Sequence, residues 1–278
     1  MAVSKKKIII FNDYKRIGPT IEFENSLYNT LTSIQPRFKT CQFMLGHKLS
    51  HNIRHIDDED TIKSLEYLEK NNKTFYIHSP YVNNLAGEHR LSKTLPSINS
   101  MMKEVKKFPC AAVYHFGSVG SLNDIVDTIN KVDIPVSNFK FMKYHFLLEN
   151  SAGQGTQLGK TDEEIRKVFE GLDQRNRVGL CIDTCHAFAA GMYDLRKTES
   201  VINLFDNYEI SMVHLNDSLT DFNSRKDSHS NICSGFIWKD SDESLKTLID
   251  LCIDKNIDII SETKNPIDDS NRVIYNYF

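Results

Sequence analysis

The sequence predicts a single (β/α)8 barrel over residues 1–278, and three observations carry that prediction. Short apolar segments alternate with amphipathic ones along the chain, which implies a parallel sheet covered by helices. Eight such units of about 35 residues fill the length, close to the roughly 250 residues usual for this barrel. The open dinucleotide-binding sheet is the competing architecture, but no Gly-x-Gly-x-x-Gly follows the first apolar segment.

Taken in order, strands are expected over residues 7–12, 40–45, 74–79, 111–116, 141–149, 179–183, 210–216 and 257–262. The intervening stretches read as helices. Residues 57–71 open on Asp57, Asp58, Glu59 and Asp60, acids suited to a helix N-terminus, and space Ile62, Leu65 and Leu68 at the helical repeat. Residues 161–172 open with a capping box, Thr161 to Glu164, and set Ile165, Val168 and Phe169 on one face. Residues 241–252 repeat that scheme with Leu245, Leu248 and Leu251. Helices also fit 21–34, 95–107, 122–130 and 199–207, and a short one follows Pro266.

Composition narrows the class. At 40% hydrophobic and 26% charged residues, with 12 Gly and 7 Pro, the chain is an ordinary globular one, which excludes collagen and low-complexity disorder. No apolar run approaches the roughly 18–20 residues of a membrane span. The apolar stretch 8–11 is shorter than a signal-peptide core, so an intracellular, cytoplasmic protein is expected. Six scattered cysteines then read as reduced thiols. A net charge of −3 does not advertise a nucleic-acid partner, although bound divalent ions would not be counted in it. The Lys, Asn and Ile usage suits an AT-rich bacterial or viral genome.

In such a barrel, polar residues at the C-terminal ends of strands face the active-site mouth. Those ends carry His78, His115, Glu149, Asp183, His214 and Glu262, separated by 37, 34, 34, 31 and 48 residues. Four of the five gaps approximate one unit, so the side chains are expected at one height. The long gap holds an extra loop, residues 217–235, with Asp227 and His229, and His186 lies one turn beyond Asp183. The nine residues comprise five His, two Asp and two Glu, ligands suited to Zn²⁺, Mn²⁺ or Fe²⁺. Nine donors exceed the needs of two ions, and with one bridging carboxylate they suffice for three. His47, His51, His55, His89 and His145 read as ordinary histidines. Cys181 and Cys185 flank Asp183 without a zinc-type spacing and read as small buried thiols. Gly153-Gln-Gly155 lacks the Lys-Ser/Thr of a phosphate loop and reads as a tight turn.

Three segments then carry a resemblance: Leu148-Glu-Asn-Ser-Ala-Gly-Gln-Gly-Thr-Gln-Leu-Gly159, Cys181-Ile-Asp-Thr-Cys-His-Ala-Phe-Ala-Ala-Gly191 and His214-Leu-Asn-Asp-Ser218. With Asp227-Ser-His229 and Glu262-Thr263 they resemble the endonuclease IV family of apurinic/apyrimidinic (AP) endonucleases across about residues 75 to 265, while the first 70 residues match loosely. The resemblance implies a trinuclear zinc barrel, one ion exchangeable for Mn²⁺, that cuts duplex DNA 5′ to an abasic site as a monomer. It implies that His78, His115 and Glu149 bind one zinc. Glu149, Asp183, His214 and Glu262 would bind a second, and His186, Asp227 and His229 a third. Glu149 would also be catalytic, orienting the nucleophile. Tyr81 and Val82 stand where the family enters the minor groove, and Lys48, Arg54, Arg225 and Lys226 are candidate phosphate contacts. The chain departs from the family at Phe116, commonly Pro, at Ser228, usually Arg, and at the less Gly-rich turn 232–235.

Two other readings compete. A sugar isomerase or epimerase on the same barrel needs one or two metals and a proton-transfer pair, which leaves His186, Asp227 and His229 without a role. A non-catalytic DNA-binding relative would be expected to have lost ligand positions, and here all nine are filled.

Overall fold

The computed structural model describes residues 17–139 and 142–277. Eight parallel strands form one sheet: β1 (Ile17–Pro19), β2 (Gln42–Phe43), β3 (Phe75–His78), β4 (Cys110–His115), β5 (Phe146–Glu149), β6 (Val178–Asp183), β7 (Ile210–His214) and β8 (Asp258–Ser261). Their order runs β1-β8-β7-β6-β5-β4-β3-β2. A lone bridge between Thr20 and Gln42, with the Ile21 N–H donating to the Gln42 carbonyl at 2.8 Å, joins the ends at a narrow seam. The helices outside are α1 (Leu27–Ser33), α2 (Asp58–Asn71), α3 (Leu95–Val105), α4 (Leu122–Asn130), α5 (Asp162–Gly171), α6 (Thr184–Ala189), α7 (Thr198–Asn207), α8 (Asp242–Asp254) and α9 (Pro266–Tyr277). None is long and apolar enough to cross a membrane. Alternating βα order thus yields the barrel that the sequence predicts.

The expected strand at 7–12 lies outside the described residues, and the first place in the sheet belongs to Ile17–Pro19. Its Ile-Gly-Pro sequence carries turn signals, which hides it from periodicity. A close approach explains the glycine: a Cβ on Gly18 would lie 1.9 Å from the Thr40 carbonyl oxygen. That carbonyl belongs to the seam and cannot retreat without opening it. Gly18→Ala is therefore expected to cost about 3 kcal/mol, the upper end for overpacking, as read by denaturant unfolding.

Helix starts show finer differences. Thr161 caps α5 by accepting from the Glu164 N–H at 3.2 Å, but the Glu164 carboxylate accepts instead from Gly159 and Lys160, at 2.8 and 3.0 Å. The reciprocal box forms at α4, between Ser121 and Asp124. Ser241 makes no side-chain cap on α8. On α2 the buried positions are Ser64 and Leu68, whereas Ile62 is 58% exposed. The helix therefore sits rotated from the face its aliphatic residues suggest. The helix expected from residue 21 begins only at Leu27, where Ser26 accepts from the Asn29 N–H at 3.1 Å.

Two apolar layers fill the molecule. The larger lies between sheet and helices. The smaller fills the barrel interior with Tyr76, Ala111, Val113, Leu147, Cys181, Met212 and Ile260. Side chains two residues apart share a face of a strand. The residues two beyond six of these are His78, His115, Glu149, Asp183, His214 and Glu262. The polar ring is thus the next layer up from an apolar plug.

Candidate metal centre

The strands hold that ring level by stepping through the sheet register. His78 pairs with Val113, Glu149 with Cys181 and His214 with Ile260, so the polar position advances by two residues at three junctions. His115 pairs directly with Glu149, and Asp183 with His214. An advance of about one residue per strand is the shear of an eight-stranded barrel, so climbing in register keeps the side chains at one height.

Glu149, at the end of β5, is fully buried and central. Its Oε1 lies 3.1 Å from His214 Nδ1 and 3.4 Å from His186 Nδ1, and its Oε2 lies 3.5 Å from His78 Nε2 and 3.8 Å from His115 Nδ1. Asp183 ends β6 and caps α6, its Oδ1 accepting from the His186 N–H at 2.9 Å, which places His186 beside it. The extra loop returns as a hairpin, Asp217–Ser218 against His229–Ser230. It is pinned to α6 by the Asn223 and Arg225 N–H groups, which donate to the Phe188 and Ala189 carbonyls at 3.1 and 2.9 Å. That docking brings His229 Nε2 to 3.5 Å from Asp183 and 3.3 Å from Asp227, and Asp227 to 3.2 Å from His186 Nε2.

The structure thus gathers all nine predicted side chains at one mouth. Ligand atoms lie within 4.8 Å of one another in the groups His78, His115, Glu149; Glu149, Asp183, His214, Glu262; and Asp183, His186, His229. Glu149 is common to the first two. A further group combines Cys185 with Asp227 and His229. The Cys185 thiol is aimed at the Ser228 carbonyl, 3.7 Å away, and burial pushes it well up, so it stays protonated. Cys181 packs in the interior layer, its thiol pushed up to about 12 by burial. All six cysteines are free.

The electrostatics are those of cations and anions interleaved. Burial alone would raise the Glu149 carboxyl, but His115 and His214 hold it well below the carboxylate range. Burial likewise opposes ionisation of Glu262, and His214 beside it brings it to about 2. Burial would lower His229, yet Asp183 and Asp227 raise it to about 9. Asp183 and Asp227 in the same way outweigh burial at His186 and raise it. His115 is the exception, lowered chiefly by burial. Glu149 Oε2, His186 Nε2 and His229 Nε2 are buried without a hydrogen-bond partner. Carboxylate oxygens near the two imidazole nitrogens lie off the ring N–H direction, so those contacts are Coulombic rather than directed. Buried ligand atoms left unsatisfied by protein, spread over separate candidate groups, suit bound cations.

Residues without an assigned role in the sequence reading orient this set. Asn216 donates to Asp183 Oδ2 at 2.6 Å and accepts from the Glu262 N–H at 3.0 Å. Asn150 accepts from the Asp183 N–H at 2.7 Å. Gln42 contacts both His214 and Glu262. Their signal was a carboxamide within or just after an apolar strand. Asp217, also buried, accepts from the Gly235 and Ile237 N–H groups at 2.9 and 2.8 Å and ties down the turn 232–235.

The mouth opens into a cleft of about 1020 Å³, lined by seven of the nine residues together with Lys48, Arg54 and Tyr81. Tyr81 is 57% exposed, and its ring stands 5.5 Å from the His78 ring and 6.2 Å from that of His115. Its N–H donates to the Lys48 carbonyl at 2.9 Å, which joins two rim loops. Val82 is half-buried, and Arg225 and Lys226 are exposed on the docked loop; none of these three lines the cleft. Gly153 and Gly155 have φ +76 and +59, a hydrogen-bonded turn runs from Gln154 to Gln157 through Gly155, and the Gln154 side chain accepts from the Asp227 N–H at 3.1 Å.

Comparison with known proteins gives the site a context. Residues 38–272 match the family described as xylose isomerase-like TIM barrel. The chain is 30% identical over 241 residues to the probable endonuclease 4 of Halothermothrix orenii, covering 80% of this chain and 84% of that protein. It is 34% identical over 218 residues to apurinic-apyrimidinic endonuclease 1 of Plasmodium berghei, covering 72% of this chain and 40% of that protein. The crystal structure of endonuclease IV from Thermus thermophilus superposes with a TM-score of 0.78 at 22% identity, covering 94% of this chain and 98% of that one, a likeness of fold.

Proposed function

This chain belongs to the endonuclease IV family of AP endonucleases, and from that premise we propose that it hydrolyses the phosphodiester 5′ to abasic sites in duplex DNA. The products would be a 3′-OH and a 5′-deoxyribose phosphate, and the cofactor three Zn²⁺ ions, one exchangeable for Mn²⁺. The chain would act as a cytoplasmic monomer in base excision repair. The observation that carries the reading is the convergence of nine imidazole and carboxylate side chains, with Glu149 shared between two groups.

In this reading His78, His115 and Glu149 hold one ion, Glu149, Asp183, His214 and Glu262 a second, and His186, Asp227 and His229 the third. The donor set is one zinc favours, and the three unsatisfied buried atoms fit it. When bound, zinc brings the pKa of water to about 7 and neutralises charge growing on the phosphate and the leaving oxygen. Glu149, held ionised, orients the attacking water. Asn216 keeps the Asp183 carboxylate turned inward and Asn150 holds the Asp183 backbone, so the donors are preset before substrate arrives.

The cleft accepts a sugar rotated out of the helix, which costs least where no base stacks. Tyr81 and Val82 would fill the minor groove left behind. Lys48, Arg54, Arg225 and Lys226 would meet phosphates, which positions the duplex without reading its sequence. The test is a labelled duplex with one tetrahydrofuran residue, a stable abasic analogue. Cleavage immediately 5′ to it is expected, with the undamaged duplex left intact. Turnover of free sugars with a single metal per chain, and no incision, would move the assignment to the isomerases.

A further inference from the structure

We propose that Gln42 is a positioning residue for the metal centre, setting the tautomer of His214 and the rotamer of Glu262. The inference rests on the mouth being a metal centre, as proposed above. Gln42 lies in β2 between Cys41 and Phe43, both of which pack into the layer outside the sheet. Strand alternation therefore turns Gln42 to the barrel interior, where it is fully buried. A buried carboxamide is costly unless both of its ends are hydrogen-bonded. Here both are. Its Oε1 lies 2.9 Å from His214 Nε2, and its Nε2 donates to Glu262 Oε1.

The orientation of the amide follows from its neighbours. Turned over, it would set a carbonyl oxygen against a carboxylate oxygen and an NH₂ against the imidazole. With the oxygen at His214, the Nε2 of that ring must carry the proton and donate it. In the neutral ring that binds a metal, its Nδ1 is then the bare lone pair. That nitrogen faces Glu149 Oε1 at 3.1 Å and Glu262 Oε2 at 3.0 Å. The second amide contact fixes the other oxygen of Glu262, so that Oε2 is the one turned to the centre. One side chain thus orients two of the four donors in the group Glu149, Asp183, His214 and Glu262.

Gln42 also belongs to the seam. It bridges Thr20 of the first strand's end and pairs in register with Tyr76 of β3. Donor geometry is therefore tied to barrel closure.

The test compares wild type with Gln42→Met, which keeps length and removes both hydrogen bonds, and with Gln42→Asn, which is too short to span them. Each zinc-loaded protein is dialysed against a chelator series, and zinc and melting temperature are measured. The expected result is one ion of the three lost at 10- to 100-fold lower chelator concentration, the scale on which orienting partners act, with incision restored by excess zinc. Ring-nitrogen NMR of the loaded wild-type protein needs no variant and is expected to show His214 as the Nε2–H tautomer. A folded variant that retains zinc like wild type, or an Nδ1–H ring at His214, would overturn the inference. A wild-type chain that binds no metal would instead sink the proposed function on which it rests.

Discussion

Glu149→Gln is expected to lower incision by more than about 100-fold while leaving the barrel folded. The substitution keeps the volume of a fully buried side chain and one of its oxygens. It removes the charge, and one anionic oxygen, of a carboxylate that four imidazoles surround, two at each oxygen, at 3.1 to 3.8 Å. Residues that merely orient ligands typically cost 10- to 100-fold when changed, and a donor common to two groups should cost more. The assay is incision of the tetrahydrofuran duplex, with circular dichroism and metal content measured on the same preparation. Activity within threefold of wild type would show that the shared carboxylate is dispensable.

Removal of the ions should have the other large effect. Incision is expected to vanish on stripping and to return with zinc. Stability should fall too, because an ion held at a thousand times its Kd stabilises the folded state by about 4 kcal/mol. At 2–4 °C per kcal/mol in a chain of this size, that is roughly a 10 °C drop in melting temperature. The stripped chain should also acquire a pH dependence of definite sign. His229 is raised to about 9 by Asp183 and Asp227 against the effect of burial. An unfolded histidine titrates near 6.5, so the protonated ring stabilises the fold fully below about 6.5. That contribution fades as pH rises toward 9. The stripped chain should therefore melt lower at pH 9.5 than at pH 6.5, and zinc should remove most of that slope by taking the proton's place. A stripped chain with wild-type activity, or with a melting point that rises over that interval, would contradict the account.

Much of this was legible in the residues because the barrel repeats one unit. Polar side chains spaced near 35 residues apart mark the ends of successive strands, and the two-residue period puts each above an apolar partner, as Glu149 stands above Leu147. His186 was legible because a short helix starting at Asp183 returns it to the same place. What was not legible depends on contacts distant in sequence. Ile17–Pro19 reads as a turn and becomes a strand only because β8 lies alongside it. Ile62 faces solvent because α2 is oriented by its packing, with the Asp60 carboxylate accepting from the α1 backbone at Leu27 and Tyr28. Gln42 and Asn216 looked like incidental polar residues. Their partners lie 172 and 33 residues away, at His214 and Asp183.

Zinc titration of the stripped chain against incision measures the central claim most directly. Nine side chains holding three ions should give activity that climbs and levels off at three equivalents per chain, with a matching zinc count after gel filtration. A plateau at one equivalent, or full incision by a chain shown to contain no metal, would contradict it.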